Sequence, residues 1–311
     1  MLKYKITVIG TINKDTIIFP DKRRTESFGG IFYNLAALSA LGGKWMEIYP
    51  VCNLGYDVYD EVVAILKRLG NVRLDGINKV RRKNNHAVLF VDQNNQRQEI
   101  LRNRVPTLSF DQVRPFLDGD AVLVNFISGF DIGLPDLKRV RRNTSALILM
   151  DVHSLTLGIR KDGERFFKAP RLWRDYVKQA DILQSNLAEL SVLSGKNLAS
   201  LREIRDFGDY ILSLGPNVLL VTMGEDGAVM FCKVGRTRSS KRCEGIQIRR
   251  FKDATGCGDV FSAGFLACYL RTRDLDQSLD FANRVAAEKC KVSGVESVAR
   301  LLKKLAIVRS A

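Results

Sequence analysis

Histidine is almost missing from this chain: there are two in 311 residues, His86 and His153. The six cysteines, Cys52, Cys232, Cys243, Cys257, Cys268 and Cys290, include no C-x-x-C pair. A zinc site draws its ligands from these residue types at close spacing, so none is expected. No G-x-x-x-x-G-K-[ST] loop and no G-x-S-x-G elbow occurs, which sets aside P-loop nucleotide chemistry and the α/β-hydrolase nucleophile. No apolar run reaches the roughly 20 residues of a membrane helix. The opening MLKYKITVIG runs into a strand pattern without the apolar core of a signal peptide. The expectation is a cytoplasmic protein with reduced thiols and no membrane partner. Low-complexity tracts and repeats of fixed period are absent too, so neither disorder nor a solenoid is expected.

Positive charge is plentiful. Lys and Arg number 49 against 34 Asp and Glu, a formal net charge of +15. The basic residues form separate clusters, among them Lys22–Arg24, Arg81–Lys83, Lys138–Arg142 and Arg236–Arg242, with no aromatics interleaved. That pattern fits a solvated basic surface around a site for a small anion better than a specific nucleic-acid interface. Hydrophobic residues make up 46% and charged residues 27%, ordinary values for a chain that buries a large core.

Short β-branched runs alternate with helical patterns. Strands are expected at Tyr4–Gly10, Met46–Val51, Ala121–Val124, Ala146–Asp151, Ala180–Leu183 and Val218–Thr222. Helices are expected at Phe32–Leu41, Asp57–Leu69, Asp136–Arg142, Leu172–Lys178, Leu187–Leu193 and Leu201–Leu214, with helix from Asp253 onward. This alternation argues for a parallel sheet covered by helices on both faces. Thr16–Phe28 and His86–Arg102 break the rhythm. The second reads as two strands joined at Asn94–Asn95. Ordinary edge hairpins and a small sheet standing off the main one are both open readings.

The densest chemistry lies in DATGCGD, Asp253 to Asp259. A glycine turn feeding a helix presents N–H groups without intrahelical partners at the positive end of the helix dipole, and so attracts phosphate. Asp259 directly after that turn would repel an anion unless it had a task of its own. It can accept a proton from a hydroxyl that attacks phosphorus. An aspartate that merely favours a helix start is the simpler alternative.

DATGCGD resembles the C-terminal signature of the ribokinase/PfkB family of carbohydrate kinases, D-[TP]-[TN]-G-A-G-D. Further pieces follow in family order: GTINKD (Gly10–Asp15), FGGIFYNLAALSALGG (Phe28–Gly43), SNLAEL (Ser185–Leu190), VTMGEDGAVMF (Val221–Phe231) and FANRVAAEKCKVSGVES (Phe281–Ser297). The resemblance spans nearly the whole chain. It implies a ribokinase-like three-layer α/β/α sandwich with a mainly parallel central sheet and a small β-sheet lid. The chain would be one domain, with lid segments at about residues 12–30 and 80–105. It implies transfer of the γ-phosphate of Mg-ATP to a hydroxymethyl group of a sugar-like substrate. A nucleoside kinase, or a non-catalytic sugar or nucleotide sensor, is the alternative.

By the same resemblance Asp259 is the general base and Gly256, Cys257 and Gly258 form the anion hole. Asn13, Asp15, Gly29, Gly30 and Asn34 would hold the acceptor. Asn186, Thr222, Gly224, Gly227 and Asn283 would line the nucleotide, and Asn186 with Glu189 would organise Mg²⁺ through water. Asp253 and Thr255 match part of a loop that binds a monovalent cation such as K⁺ in many members, with Gly294 and Ser297 further along it. Many members form a homodimer through the lid sheet, and whether this comparatively short lid does so is open. Some positions depart from the family. Cys257 replaces alanine; a thiol at a helix start can have a lowered pKa, while a small, inert substitution is the simpler reading. Phe32 and Tyr33 are bulky, and Ile127 lies where ribokinases proper carry a glutamate near the ribose, which argues against a plain ribokinase. His153 and Asp151 end a strand facing the expected cleft, where substrate contact and no role are equal readings.

Overall fold

The computed structural model describes residues 3–93, 97–235 and 237–305. The first half contributes strands β1 (Tyr4–Ile9), β2 (Ile12–Ile18), β3 (Arg24–Gly30), β4 (Met46–Gly55), β5 (Ile77–Val80), β6 (His86–Val91), β7 (Arg97–Arg102), β8 (Ala121–Asn125) and β9 (Leu147–Asp151). Then come β10 (Leu157–Ile159), β11 (Arg165–Phe167), β12 (Ile182–Asn186), β13 (Val218–Thr222), β14 (Ala228–Val234) and β15 (Thr237–Cys243). The helices are α1 (Ile31–Gly42), α2 (Tyr59–Lys67), α3 (Phe110–Val113), α4 (Leu134–Arg142), α5 (Trp173–Val177), α6 (Leu187–Ser194), α7 (Leu201–Leu214), α8 (Cys257–Thr272), α9 (Leu275–Lys289) and α10 (Val295–Leu302).

The main sheet has nine strands in the order β15-β14-β13-β12-β9-β8-β1-β4-β5. It is parallel from β13 to β5 and ends in the antiparallel pair β14–β15. Alternation along each strand sends side chains to opposite faces, and the two cores record it. In β8, Ala121 and Leu123 join the core beneath α1, α8 and α9, while Val122 and Val124 join the core beneath α4, α5 and α7. Val218 and Leu220 part from Leu219 and Val221 in the same way. Three layers follow directly from this period of two.

Apart from the main sheet, β3-β2-β6-β7 form a four-stranded sheet, parallel only between β2 and β6. These are the two stretches that break the α/β rhythm. The turn at Asn94–Asn95 lies outside the described residues, as does Arg236 in the basic cluster. The short hairpin β10–β11 and the edge strand β15 were not expected. β15 is mostly exposed, so its side chains, TRSSKRC, carry no apolar alternation to read. No helix among the described residues is long and apolar enough to cross a membrane.

Helix α8 is apolar nearly all round and lies buried between α1 and α9, the burial expected of such a helix. Phe265 is fully buried there and stacks on Tyr269 at 6.1 Å. Phe265→Ala is expected to destabilise the fold by about 3–5 kcal/mol. Phe167→Ala, at a side chain 64% exposed, should change stability by less than about 0.5 kcal/mol. Urea unfolding of both variants checks this, and equal losses would contradict the assignment of the core.

Candidate active site

Polar residues end four neighbouring parallel strands: Asn125 on β8, Asp151 on β9, Asn186 on β12 and Thr222 on β13. The register pairs Asn125 with Asp151, Asp151 with Gln184, and Asn186 with Thr222, so Asn125, Asp151 and Gln184 stand in one row and Asn186 and Thr222 lie two residues further along. Ligands of open parallel sheets bind in the crevice beyond these carboxyl ends. The N-terminus of α8 faces the same crevice. Gly256 caps it in the left-handed region, φ 79°, and no side chain caps the first turn. A methyl group at Gly256 would run into the Tyr33 ring, so the close approach also demands glycine.

Two cavities meet at this turn. One, of about 700 Å³, is bordered by Gly227, Ile246, Phe251 and Asn283. The other, of about 770 Å³, is bordered by Asn13, Asp15, Tyr33, His153 and Glu189. Both touch Thr222, Gly224, Cys257 and Gly258. Asp259 borders the second cavity.

The Asp259 carboxylate is buried, and its Oδ1 accepts a hydrogen bond from Asn125 Nδ2 at 2.7 Å. Burial raises its pKa. His153, the Asn125 bond and Lys289 oppose that rise without cancelling it. Asp15, on β2, is pushed up to about 8 by burial and then by the charges of Glu99 and Asp259. Burial raises Asp151 and Glu189 as well. His153 stands among them in a backbone conformation of φ 36° and bonds to Ser154 Oγ through Nδ1 at 2.9 Å. Burial lowers its pKa, but the charges of Asp259, Glu189, Asp151 and Glu99 outweigh burial, and the imidazole is driven toward its charged form.

Asn13, Asp15 and Gly30 border the second cavity. Gly29 serves Asp15, since a side chain at Gly29 would overlap Asp15 Oδ2. Asn34 is placed differently from the acceptor contact that the resemblance implied. It is fully buried, and its Nδ2 donates to the Asp259 carbonyl at 2.8 Å and to Ser262 Oγ at 3.1 Å. Its Oδ1 accepts from Asn125 at 3.0 Å. Asn34 therefore ties α1 to α8 behind the carboxylate. Asn186 and Glu189 form a capping box at the start of α6, with Asn186 Nδ2 also donating to Glu189 Oε1 at 2.7 Å. Gly224 and Gly227 form the turn after β13, and Asn283 donates to the Glu244 carbonyl at 2.8 Å beside the first cavity. Gly294 and Ser297 border a separate cavity with Phe28, Phe32 and Ile65. Phe32 belongs to the core, while Tyr33 reaches the cleft.

Cys257 does not follow the helix-start pattern of a lowered thiol pKa. Cys257 Sγ lies 3.0 Å from Cys290 Sγ. That bond raises the pKa of Cys257 and lowers Cys290 to about 7. No sequence spacing announces this pair, which joins the start of α8 to the residue after α9. Asn125, Gln184 and Lys289 were also missed. Asn125 and Gln184 read as the polar ends of apolar strands. Lys289 lies within a helix of mixed charge and reads as solvated. Gln184 Nε2 bonds to Asp151 Oδ2 at 2.8 Å and to the Gly258 carbonyl at 2.9 Å.

The site is an α/β cleft in which two cavities share one glycine turn at a helix start. The match of the pfkB family carbohydrate kinase model to residues 3–300 assigns it: the chain belongs to that family and is a phosphotransferase acting on an alcohol group. It is 24% identical to the cytidine kinase of Thermococcus kodakarensis over 94% of this chain and 98% of that protein. It is 22% identical to the ribokinase of Arabidopsis thaliana, over 96% and 81%. Among solved structures, a pyrophosphate-dependent kinase in the ribokinase family superposes with a TM-score of 0.79 at 19% identity, covering 97% of this chain and all of that one (100%). The ribokinase of Thermotoga maritima gives 0.75 at 19%, covering 97% and 98%.

The donor set suits a magnesium ion that arrives with its ligand. Mg²⁺ keeps several waters and takes few protein carboxylates. Glu189 borders the cleft, and Gln184 Oε1 and Thr255 Oγ1 nearby are buried without a hydrogen-bond partner. Among the described residues no cluster of three His, Cys, Asp or Glu forms a complete cage.

Asp15 generates a pH dependence of stability. Burial pushes its carboxyl up to about 8 in the fold, against an ordinary 3.8. Between those values the folded state binds a proton that the unfolded state does not, so stability falls as pH rises through the window. Asp15→Asn is expected to flatten that fall and to raise the melting temperature at pH 8 relative to pH 5. Parallel slopes for variant and wild type would refute it.

Proposed function

We propose that this kinase transfers the γ-phosphate of Mg-ATP to a hydroxymethyl group of a sugar or nucleoside. The observation that carries the reading is the meeting of two cavities at Gly256–Gly258, with Asp259 on the side of the second. ATP would place its base in the first cavity, against Ile246 and Phe251 beside Asn283, and its phosphates at Thr222, Gly224 and the start of α8. The acceptor would occupy the second cavity, where Asp15 and Asn13 offer carboxylate and amide to its hydroxyls. Asn13 Oδ1 is buried without a partner. An orphan of this kind costs about 1–3 kcal/mol, and a ligand hydroxyl removes that cost.

Asp259 takes the proton of the attacking hydroxyl, held toward it by Asn125. Its raised pKa makes it a stronger base than an exposed aspartate. The N–H groups of the first turn of α8 stabilise charge on the transferred phosphoryl oxygens. A magnesium ion near Asn186 and Glu189 supplies charge neutralisation when bound. The lid sheet and the hairpin β10–β11 border the acceptor side and exclude water from it. A nucleoside acceptor is favoured by one feature: Leu89, Leu157, Phe166 and Phe167 give the outer part of this cavity an apolar wall suited to a flat base.

The test is nucleoside or sugar phosphorylation measured with Mg-ATP, and with pyrophosphate as a second donor, across sugars, polyols and nucleosides. Asp259→Asn is expected to lower kcat by about 10²–10⁴ while nucleotide still binds. Full activity in that variant would remove Asp259 from the chemistry. Asn125→Leu removes a hydrogen bond that favours the ionised carboxylate, so the acid limb of kcat/KM should move to higher pH. An unmoved limb would show that another group titrates there.

A further inference from the structure

The turn that feeds α8 holds a cation belonging to the protein itself. Lys289, at the end of α9, is fully buried. Its Nζ donates to the Asp253 carbonyl at 2.9 Å and to Asp253 Oδ2 at 3.3 Å. The ammonium also lies 5.5 Å from the centre of the Tyr33 ring, a cation–π distance. Asp253 Oδ1 accepts the Thr255 N–H at 2.8 Å, and the N–H of Lys252 bonds to the Cys290 carbonyl at 2.8 Å. Tyr33 packs under Gly256. Ammonium, carboxylate, ring and turn thus form one connected unit directly behind the phosphate-binding N–H groups.

Burying an ammonium is costly, and an apolar side chain would finish a helix more cheaply. The monovalent cation expected at Asp253 and Thr255 does not fit beside it. The Asp253 carbonyl and Oδ2 are already bound to the ammonium, and Oδ1 is taken by backbone. A second cation there would face Lys289 at close range in a dry setting, where like charges repel strongly. Thr255 Oγ1 is buried without a partner, but one hydroxyl does not make a cation site.

We propose that Lys289 serves as a built-in cation that positions the Asp253–Gly256 turn, so that this kinase binds its phosphate donor without a monovalent metal ion. Lys289 is a positioning residue, acting through Asp253. The inference rests on the kinase reading above, and the test separates the two.

Binding of a non-hydrolysable ATP analogue with Mg²⁺ is measured by calorimetry in potassium chloride and in tetramethylammonium chloride at equal ionic strength. Wild-type affinity is expected to agree within about twofold between the salts. Lys289→Ala should bind about 10-fold or more weakly in tetramethylammonium, the scale of a charged hydrogen bond. It should regain affinity when potassium or ammonium is supplied, because the truncation opens a space for the ion. Lys289→Met fills that space and should not be rescued. A wild-type affinity more than about 10-fold higher in potassium overturns the proposal, and that comparison needs no variant. Unweakened binding by Lys289→Ala, or a loss that neither cation restores, overturns it too, the latter by assigning Lys289 a purely structural role. If the wild type binds the analogue in neither salt, the ATP reading itself falls, and the role of Lys289 in donor binding falls with it.

Discussion

Asp259 puts a carboxylate, 5% exposed, where burial opposes its ionisation. Asp15, Asp151 and Glu189 share the same field, and each is pushed toward its neutral form. A carboxylate kept ionised under these conditions must draw counter-charge and donors from the protein. Three sources meet that need: His153 amid the acids, Asn125 on the carboxylate oxygen, and Lys289 behind the turn. Asn34 completes the support by gripping the Asp259 backbone rather than its carboxylate. Removing any one of them shifts the balance of the others, because the interactions are short and the medium is dry.

The fold delivers these groups with little invention. Parallel strands end at one edge of the sheet, so polar residues at their last positions necessarily stand side by side. β8, β9 and β13 are apolar runs closed by Asn125, Asp151 and Thr222, while β12 turns polar from Gln184 to Asn186. The apolar part of each strand feeds two cores by simple alternation; Asp151, Asn186 and Thr222 border the crevice, and Asn125 supports it from behind through Asp259. Stability and chemistry are therefore drawn from adjacent residues of the same strand, and neither compromises the other.

The same logic explains what the sequence disclosed. Alternating strands and helices were legible because burial on both sheet faces leaves uninterrupted apolar runs, and Val218–Thr222 and Leu201–Leu214 carry matching bounds in sequence and structure. DATGCGD stood out as a glycine turn before a helical pattern, and its role came from the family resemblance, since an aspartate at a helix start alone has a simpler reading. What stayed hidden depends on distances across the fold. Asn125 meets Asp259 from 134 residues away, and Lys289 meets Asp253 from 36. No local period encodes either. Asn34 sits in a recognisable motif, yet motif membership did not say that its amide would face inward. β15 was invisible because an exposed edge strand needs no apolar pattern.

The lid is not free of the body. The hairpin β10–β11 lies against its β7 edge: Leu101 N–H bonds to the Gly163 carbonyl at 2.9 Å, and Gln98 bonds to Glu164 at 2.8 Å. The other side of the hairpin is fastened below. Arg165 is buried and donates to the carbonyls of Ser128, Ser154 and Leu157 at 2.8–3.3 Å. Ser154 follows His153 directly. Any motion of β7 must therefore either carry the hairpin, and with it the segment that sets His153, or break its bonds to the hairpin. The four-stranded sheet and the segment that holds His153 among the acids are thus joined through the hairpin by hydrogen bonds.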